Sequence, residues 1–260
     1  MNDHIIIEKN DAVLKITLNR PEKKNALSND MYEQICQGLI TANDDPQIRV
    51  VLIRSSSENF TSGNDLADFA AVNQGKMDLT ELPVVKLIKL VVNFDKPLIC
   101  AVSGLAVGIG TTLLFHCDSV IAGKSSIFHM PFVSLGLVPE FASSYLFPAI
   151  AGRTRASHYL LLGEAFGINE AREMGIVSQI CDDDAVNKTA LSVCRKLAAL
   201  PPMTLRSVKR LITPPAQQAH LQKVIERESA VFAKCLTSAE HREALAAFFE
   251  RRKPDFSTFD

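Results

Sequence analysis

Apolar positions near the start of the chain repeat every second residue and then change period. "HIIIEKNDAVLKITLNRP" predicts two strands turned at Asn10-Asp11, the second alternating Val13, Lys15 and Thr17 with Leu14, Ile16 and Leu18. After Ser28, which has the chemistry of an N-cap, Met31, Ile35 and Leu39 recur at helical spacing and predict an amphipathic helix. "IRVVLIRSS" is short, apolar and β-branched, as a strand buried on both faces would be. The loop "SENFTSGNDLADF" follows, and then the helix "LPVVKLIKLVVNF". "KPLICAVSG" predicts a further buried strand, "LAVGIGTTLLFHCD" a glycine-rich turn that opens a helix, and "SVIAGKSSIFHM" a returning strand. From about Gly152 the pattern becomes helical through "TRASHYLLLG", "NEAREMG", "DAVNKTALSVCRKLAALP", "PMTLRSVKRLI", "AHLQKVIERESAVFAKCL" and "SAEHREALAAFFERR". Strand–helix alternation followed by a run of helices implies an α/β core with a C-terminal helical appendage, and Leu200-Pro201-Pro202 is the most linker-like break.

Composition narrows the function. A chain of 260 residues with 47% hydrophobic and 22% charged content is that of a globular protein with a sizeable core. Lys+Arg 28 against Asp+Glu 29 leaves a net charge of -1, so no basic excess points to nucleic acid or an anionic membrane. The six cysteines form no C-x-x-C pair and no His/Cys cluster at zinc spacing, so they read as thiols of a reducing compartment and no metal is expected. "MNDHIIIEKND" resembles neither a signal nor a transit peptide, no apolar run suffices to span a bilayer, and "FSTFD" is not a peroxisomal tripeptide. A cytoplasmic location is expected.

Two loops follow buried strands and could present backbone N–H groups: Ser62-Gly63-Asn64-Asp65-Leu66, and the stretch from Gly104 to Gly110. A P-loop would need Lys-Ser/Thr after the last glycine, where Thr111-Thr112 stands. A dinucleotide fingerprint would need a third glycine where Leu113 stands. Glycines for tight turns would explain one such loop; two make a pair of donors for an oxyanion the sharper reading. "VPEFASSY" holds a single charge, Glu140, between apolar and aromatic stretches. Either it sits in the first helical turn after Pro139, or a reaction needs it in a pocket. His116, Cys117 and Asp118 read as a structural cap and His129 as a packed histidine.

"NRPEKKNALS", "FTSGNDL", "GLAVGIG" followed by "CDSVIAG", "EAREMGIVSQI" and "AFFERRKPDF" resemble, in order and over essentially the whole chain, the landmarks of the crotonase (enoyl-CoA hydratase/isomerase) superfamily. That resemblance implies a spiral of ββα units as an acyl-CoA-binding core, here residues 1–200. Over 201–260 it implies a helical region that builds a homotrimer or a dimer of trimers. The implied ligand is an acyl-CoA, with coenzyme A part of the substrate and no further cofactor. Its thioester oxygen would meet the backbone N–H groups of Asn64 and Ile109, with Ser62, Gly63, Asp65, Leu66 and Gly108 around them. Lys24 and Ala26, beside Lys23, would line the nucleotide, and Lys253, or its neighbour Arg252, would approach a phosphate. Asp65 would order its loop through local hydrogen bonds.

Hydratases of the family use two glutamates, and the resemblance puts Thr112 and Phe132 in their places, so efficient hydration is not expected. "FHMPFVSLGLVPEFASSYLFP" is similar instead to the peroxisomal-type Δ3,Δ2-enoyl-CoA isomerases, whose single catalytic glutamate falls on Glu140. Phe132, Phe141 and nearby aliphatic groups are expected to desolvate it and raise its pKa. Asp68 and Glu81 are the candidates for further acids in a dienoyl-CoA variant. Ring expansion of an epoxide-bearing CoA ester and a non-catalytic acyl-CoA-binding module are the alternatives. The amphipathic "LQKVIERESAVFAKCL" is expected to meet a neighbouring subunit rather than a membrane.

Overall fold

The computed structural model describes residues 3–65 and 82–259. Strands β1 (Ile5–Asn10) and β2 (Val13–Leu18) form the expected hairpin, with Asp11 left-handed at the turn. β3 (Val50–Ser55), β4 (Leu98–Val102), β6 (Ser119–Gly123) and β9 (Gln179–Cys181) continue the sheet in parallel from β2. In a smaller sheet β7 (Ile127–His129) lies between β5 (Leu105–Val107) and β8 (Ala165–Gly167). The stretch expected as one returning strand is therefore two, in different sheets. Strands of three residues are too short to show a period, which is why β8 and β9 fall inside a region that reads as helical.

The central strands β3, β4 and β6 are buried on both faces, as their β-branched runs imply. Leu14, Ile16, Leu18, Val51, Ile53 and Cys100 join the main core with α1 (Asn29–Asp44) and α2 (Pro83–Val92). The alternate residues Val13, Val50, Leu52, Ile99, Ala101 and Ile121 pack instead against Val186, Ala190 and Cys194 of α7 (Val186–Ala198). Ser28 caps α1, accepting from the Met31 N–H, and Met31, Ile35 and Leu39 are its buried face.

Between β5 and β6 runs the short helix α3 (Ile109–Thr112), continued by a 3-10 turn through His116. α4 (Ser143–Ala151), α5 (Arg153–Leu162) and α6 (Ile168–Glu173) follow. Beyond the Leu200–Pro202 break lie α8 (Pro202–Ile212), α9 (Pro215–Leu236) and α10 (Ala239–Glu250). α8 buries none of its own residues, and Lys209 ties it to the body through Asp118 at 2.7 Å and the Lys96 carbonyl at 2.7 Å. α9 behaves differently. Leu221, Val224, Ile225 and Leu236 complete the main core of their own chain, while Val231 of the same segment stays exposed. No helix among the described residues is long and apolar enough to cross a membrane.

Candidate active site

The first glycine loop is built around Asn25, a fully buried residue with left-handed φ of 55°. Its amide donates to Ser55 Oγ at 2.8 Å and to the Asn59 and Phe60 carbonyls at 2.9 and 3.1 Å. The Asn25 side chain thus joins the end of β3 to the turn after β2. Leu27 then bridges to Asn64 in parallel fashion: its N–H donates to the Gly63 carbonyl and its carbonyl accepts from the Asp65 N–H. Both bonds of such a bridge use the residues on either side of Asn64. Among the described residues the Asn64 N–H therefore has no acceptor in this ladder. The Asn64 side chain accepts from the Tyr32 hydroxyl of α1. Arg20 bonds both Asp65, at 2.8 Å, and the Ala26 carbonyl, at 3.0 Å. The Asp65 side chain thus pairs with Arg20, 45 residues earlier in the chain, a partner that sequence reasoning missed in expecting local hydrogen bonds.

The second loop supplies Ile109 as the first residue of α3, where an N–H has no intrahelical acceptor. Gly108 ahead of it has φ 56° and ψ -121°, a conformation that favours glycine. Its N–H is held by the His129 carbonyl at 2.8 Å. The two loops meet. Thr61 bridges to Ala106, and a Cβ on Gly63, whose φ is +90°, would stand 2.9 Å from the Val107 carbonyl oxygen. Lys24 and Ala26 come to the same place, because the Lys24 carbonyl accepts from the Ser62 N–H at 2.9 Å.

Glu140 closes the group. Its carboxyl accepts a 2.5 Å hydrogen bond from Thr112 Oγ1, three residues beyond Ile109 on the same helix. The residue keeps some exposure at its edge while protein surrounds its carboxyl. Burial raises its pKa from 4.5 to about 8; the Thr112 hydroxyl works against that shift and the charge of Glu228 adds to it. The direction is the one expected. Glu140 is not in the first turn of α4, however. The helix starts at Ser143, after Phe141 and Ala142 with φ of 59° and 57°. Two adjacent left-handed residues other than glycine cost about 1–2 kcal/mol each, so surrounding contacts must hold them.

Those contacts come from two residues that sequence reasoning missed or assigned elsewhere. His116 Nε2 meets the Phe141 carbonyl at 2.8 Å and its ring stacks on Phe141 at 4.2 Å. Burial pushes its pKa down to about 4, so the ring is neutral, and a carbonyl partner requires the hydrogen on Nε2. Glu228, on α9 and 6% exposed, accepts from the N–H groups of Ala142 and Ser144 at 2.6 and 3.0 Å. Its signal was present: position 228 continues the buried stripe of Leu221, Val224 and Ile225, where an acid is out of pattern. His129 is packed as expected, its ring on the Gly163 carbonyl at 2.7 Å, and Phe132 is buried.

Lys253 is exposed after α10, while Arg252 is engaged by Glu243 and Glu250. Arg252 is thus the less available of the two candidates. Leu66, with Asp68 and Glu81, lies outside the described residues.

The α/β core thus sets two glycine loops against each other, with a buried carboxyl bonded to the helix that leaves the second, and comparison with known proteins gives the class to which this fold belongs. The enoyl-CoA hydratase/isomerase family model matches residues 8–258. The chain is 33% identical over 261 residues to the 1,2-epoxyphenylacetyl-CoA isomerase of Escherichia coli strain K12, covering 99% of each. It is 32% identical over 252 residues to human enoyl-CoA delta isomerase 2, covering 95% of this chain and 64% of that relative's length. Among solved structures it is similar to an enoyl-CoA hydratase/isomerase of Pseudoalteromonas atlantica T6c, with TM-score 0.92 and 38% identity over 98% of this chain and 100% of that one. The chain belongs to the enoyl-CoA hydratase/isomerase family of the crotonase superfamily. It is an enzyme of that superfamily, whose members act on acyl-CoA substrates.

Proposed function

We propose that the chain is a Δ3,Δ2-enoyl-CoA isomerase. Glu140 as carboxylate takes a proton from C2 of a 3-enoyl-CoA. The electrons of that C–H bond pass into the adjacent thioester carbonyl, giving a dienolate with C1=C2 and C3=C4 double bonds. The same carboxyl then returns the proton to C4 as the carbonyl re-forms and the double bond settles at C2=C3. The dienolate formed between the two transfers carries its charge on the thioester oxygen, where the N–H groups of Asn64 and Ile109 donate. A preorganised donor of that kind contributes about 3–4 kcal/mol. Ser62, Gly63, Asp65 and Gly108 support those donors, and Phe132 walls the acyl side. Lys24, Ala26 and Lys253 are the candidates for the CoA moiety. The step is a redox-neutral proton transfer, so coenzyme A within the substrate is all the chemistry calls for.

The observation that carries this reading is the hydrogen bond from Thr112 to a carboxyl poised near pH 8, on the helix that begins with Ile109. A base is most effective with a pKa near the operating pH. Hydration would need a second free carboxyl. Thr112 and Phe132 cannot provide one, and Glu228 is committed to two backbone N–H groups. The 33% identity to 1,2-epoxyphenylacetyl-CoA isomerase supports a second reading, isomerisation of an epoxide-bearing acyl-CoA.

Purified protein mixed with a trans-3-enoyl-CoA is expected to show rising conjugated-thioester absorbance, lost in Glu140→Gln. Turnover of the epoxide ester alone would favour the second reading. CoA-ester binding without conversion of either would leave a binding module. Exposed Met203, Leu211, Ile212, Phe248 and Phe249 supply apolar surface for the proposed homotrimer or dimer of trimers.

A further inference from the structure

We propose that Glu228 is a positioning residue for Glu140, gripping the turn that carries it from the side opposite His116. The proposal rests on Glu140 being the base.

The grip acts on one peptide group. The carbonyl of the Phe141–Ala142 peptide accepts from His116 Nε2, and the N–H of the same peptide donates to Glu228 Oε2. A peptide plane held at both ends cannot rotate, so the left-handed pair Phe141-Ala142 is fixed, and with it the backbone from which Glu140 projects. The other oxygen of Glu228 takes the Ser144 N–H in the first turn of α4. A helix start that needed only a cap would be served by a local Ser, Thr or Asp, but here Ala142 occupies that position. The acceptor comes from 86 residues downstream, on a helix whose other buried residues belong to the main core. The catalytic turn is therefore tied to α9 through a carboxyl rather than through apolar packing alone.

Glu228 also contributes charge. Its own pKa is raised by burial, against the Ser144 and Ala142 donors and Arg227, all of which favour the ionised form. The groups acting on Glu140 are Thr112 from α3 and Glu228 from α9. Lys209 of α8 acts on neutral His116. Replacing Glu228 by glutamine removes one acceptor and the negative charge while keeping the shape. Replacing it by aspartate keeps the charge but shortens the reach.

The test compares Glu228→Gln, Glu228→Asp and Glu140→Gln with wild type on trans-3-hexenoyl-CoA, reading kcat, KM, the pH profile of kcat/KM and thermal unfolding. In Glu228→Gln we expect kcat to fall about tenfold or more with KM changed less than about twofold, and the acidic limb to move to lower pH. In Glu228→Asp, kcat is expected to fall while the limb stays closer to that of wild type. If Glu228→Gln does not fold, the aspartate variant decides: reduced kcat at constant KM supports positioning, and wild-type kcat overturns it. Loss of activity in proportion to loss of folded protein, with the limb unmoved, would mean Glu228 is only structural. An inactive Glu140→Gln beside unchanged Glu228 variants overturns the positioning role alone. An active Glu140→Gln overturns that role together with the reading beneath it.

Discussion

At the scale of single residues, the protein keeps a carboxyl where water cannot easily ionise it. Raising the Glu140 pKa from 4.5 to about 8 has a stability consequence of definite sign. Between those pH values the folded chain retains a proton that the unfolded chain has released, so stability contributed by this group falls as pH rises through the interval. Glu140→Gln keeps an acceptor for Thr112 without that burden. Thermal unfolding is expected to find the variant more stable than wild type at pH 8, with the gap closing below pH 4.5. A gap independent of pH would contradict the raised pKa. Glu140, Asn64 and Ile109 could be singled out in the sequence because each stands in a short local motif. Glu228 could not be joined to them by any motif, since its partners lie on another element and are backbone N–H groups, which leave no trace in residue identity. His116 reads from sequence as the end of an apolar helix, and only the fold reveals that its ring faces the Phe141 carbonyl.

Among elements, the site depends on two loops that touch backbone to backbone. Gly63 permits this, with φ of +90° and the Val107 carbonyl where a Cβ would approach to 2.9 Å. Gly63→Ala is expected to lose about 1–3 kcal/mol of stability and to lower kcat by about tenfold or more, as the loops separate and the two donors diverge. Thermal unfolding and the conjugation assay check both parts; wild-type kcat in a folded variant would show that the loops need not touch. Strands β3, β4 and β6 of the large sheet were legible because runs buried on both faces must be apolar and β-branched, whereas its three-residue β9 was not. The smaller sheet was not. β5, β7 and β8 are three residues each and are defined by their partners rather than by any pattern of their own. α9 was legible as amphipathic, but a stripe shows that a face is covered and not what covers it. Here its own chain does.

For the whole molecule, α8 and α10 hold apolar residues that the chain itself leaves uncovered, among them Leu211 at 82% and Phe249 at 60% exposure. Light scattering with size-exclusion chromatography is expected to give three or six times the 28.5 kDa chain mass, and a monomer would contradict the proposed assembly. Catalysis by this route turns on one proton and one carboxyl, and a labelled substrate follows both. A trans-3-enoyl-CoA deuterated at C2 would be converted by wild type and by Glu140→Gln, and the products compared by NMR. If Glu140 shuttles the proton, wild type places deuterium at C4, diluted by exchange with water, and the variant yields no conjugated product. Conversion by Glu140→Gln at the wild-type rate would mean that another group carries the proton.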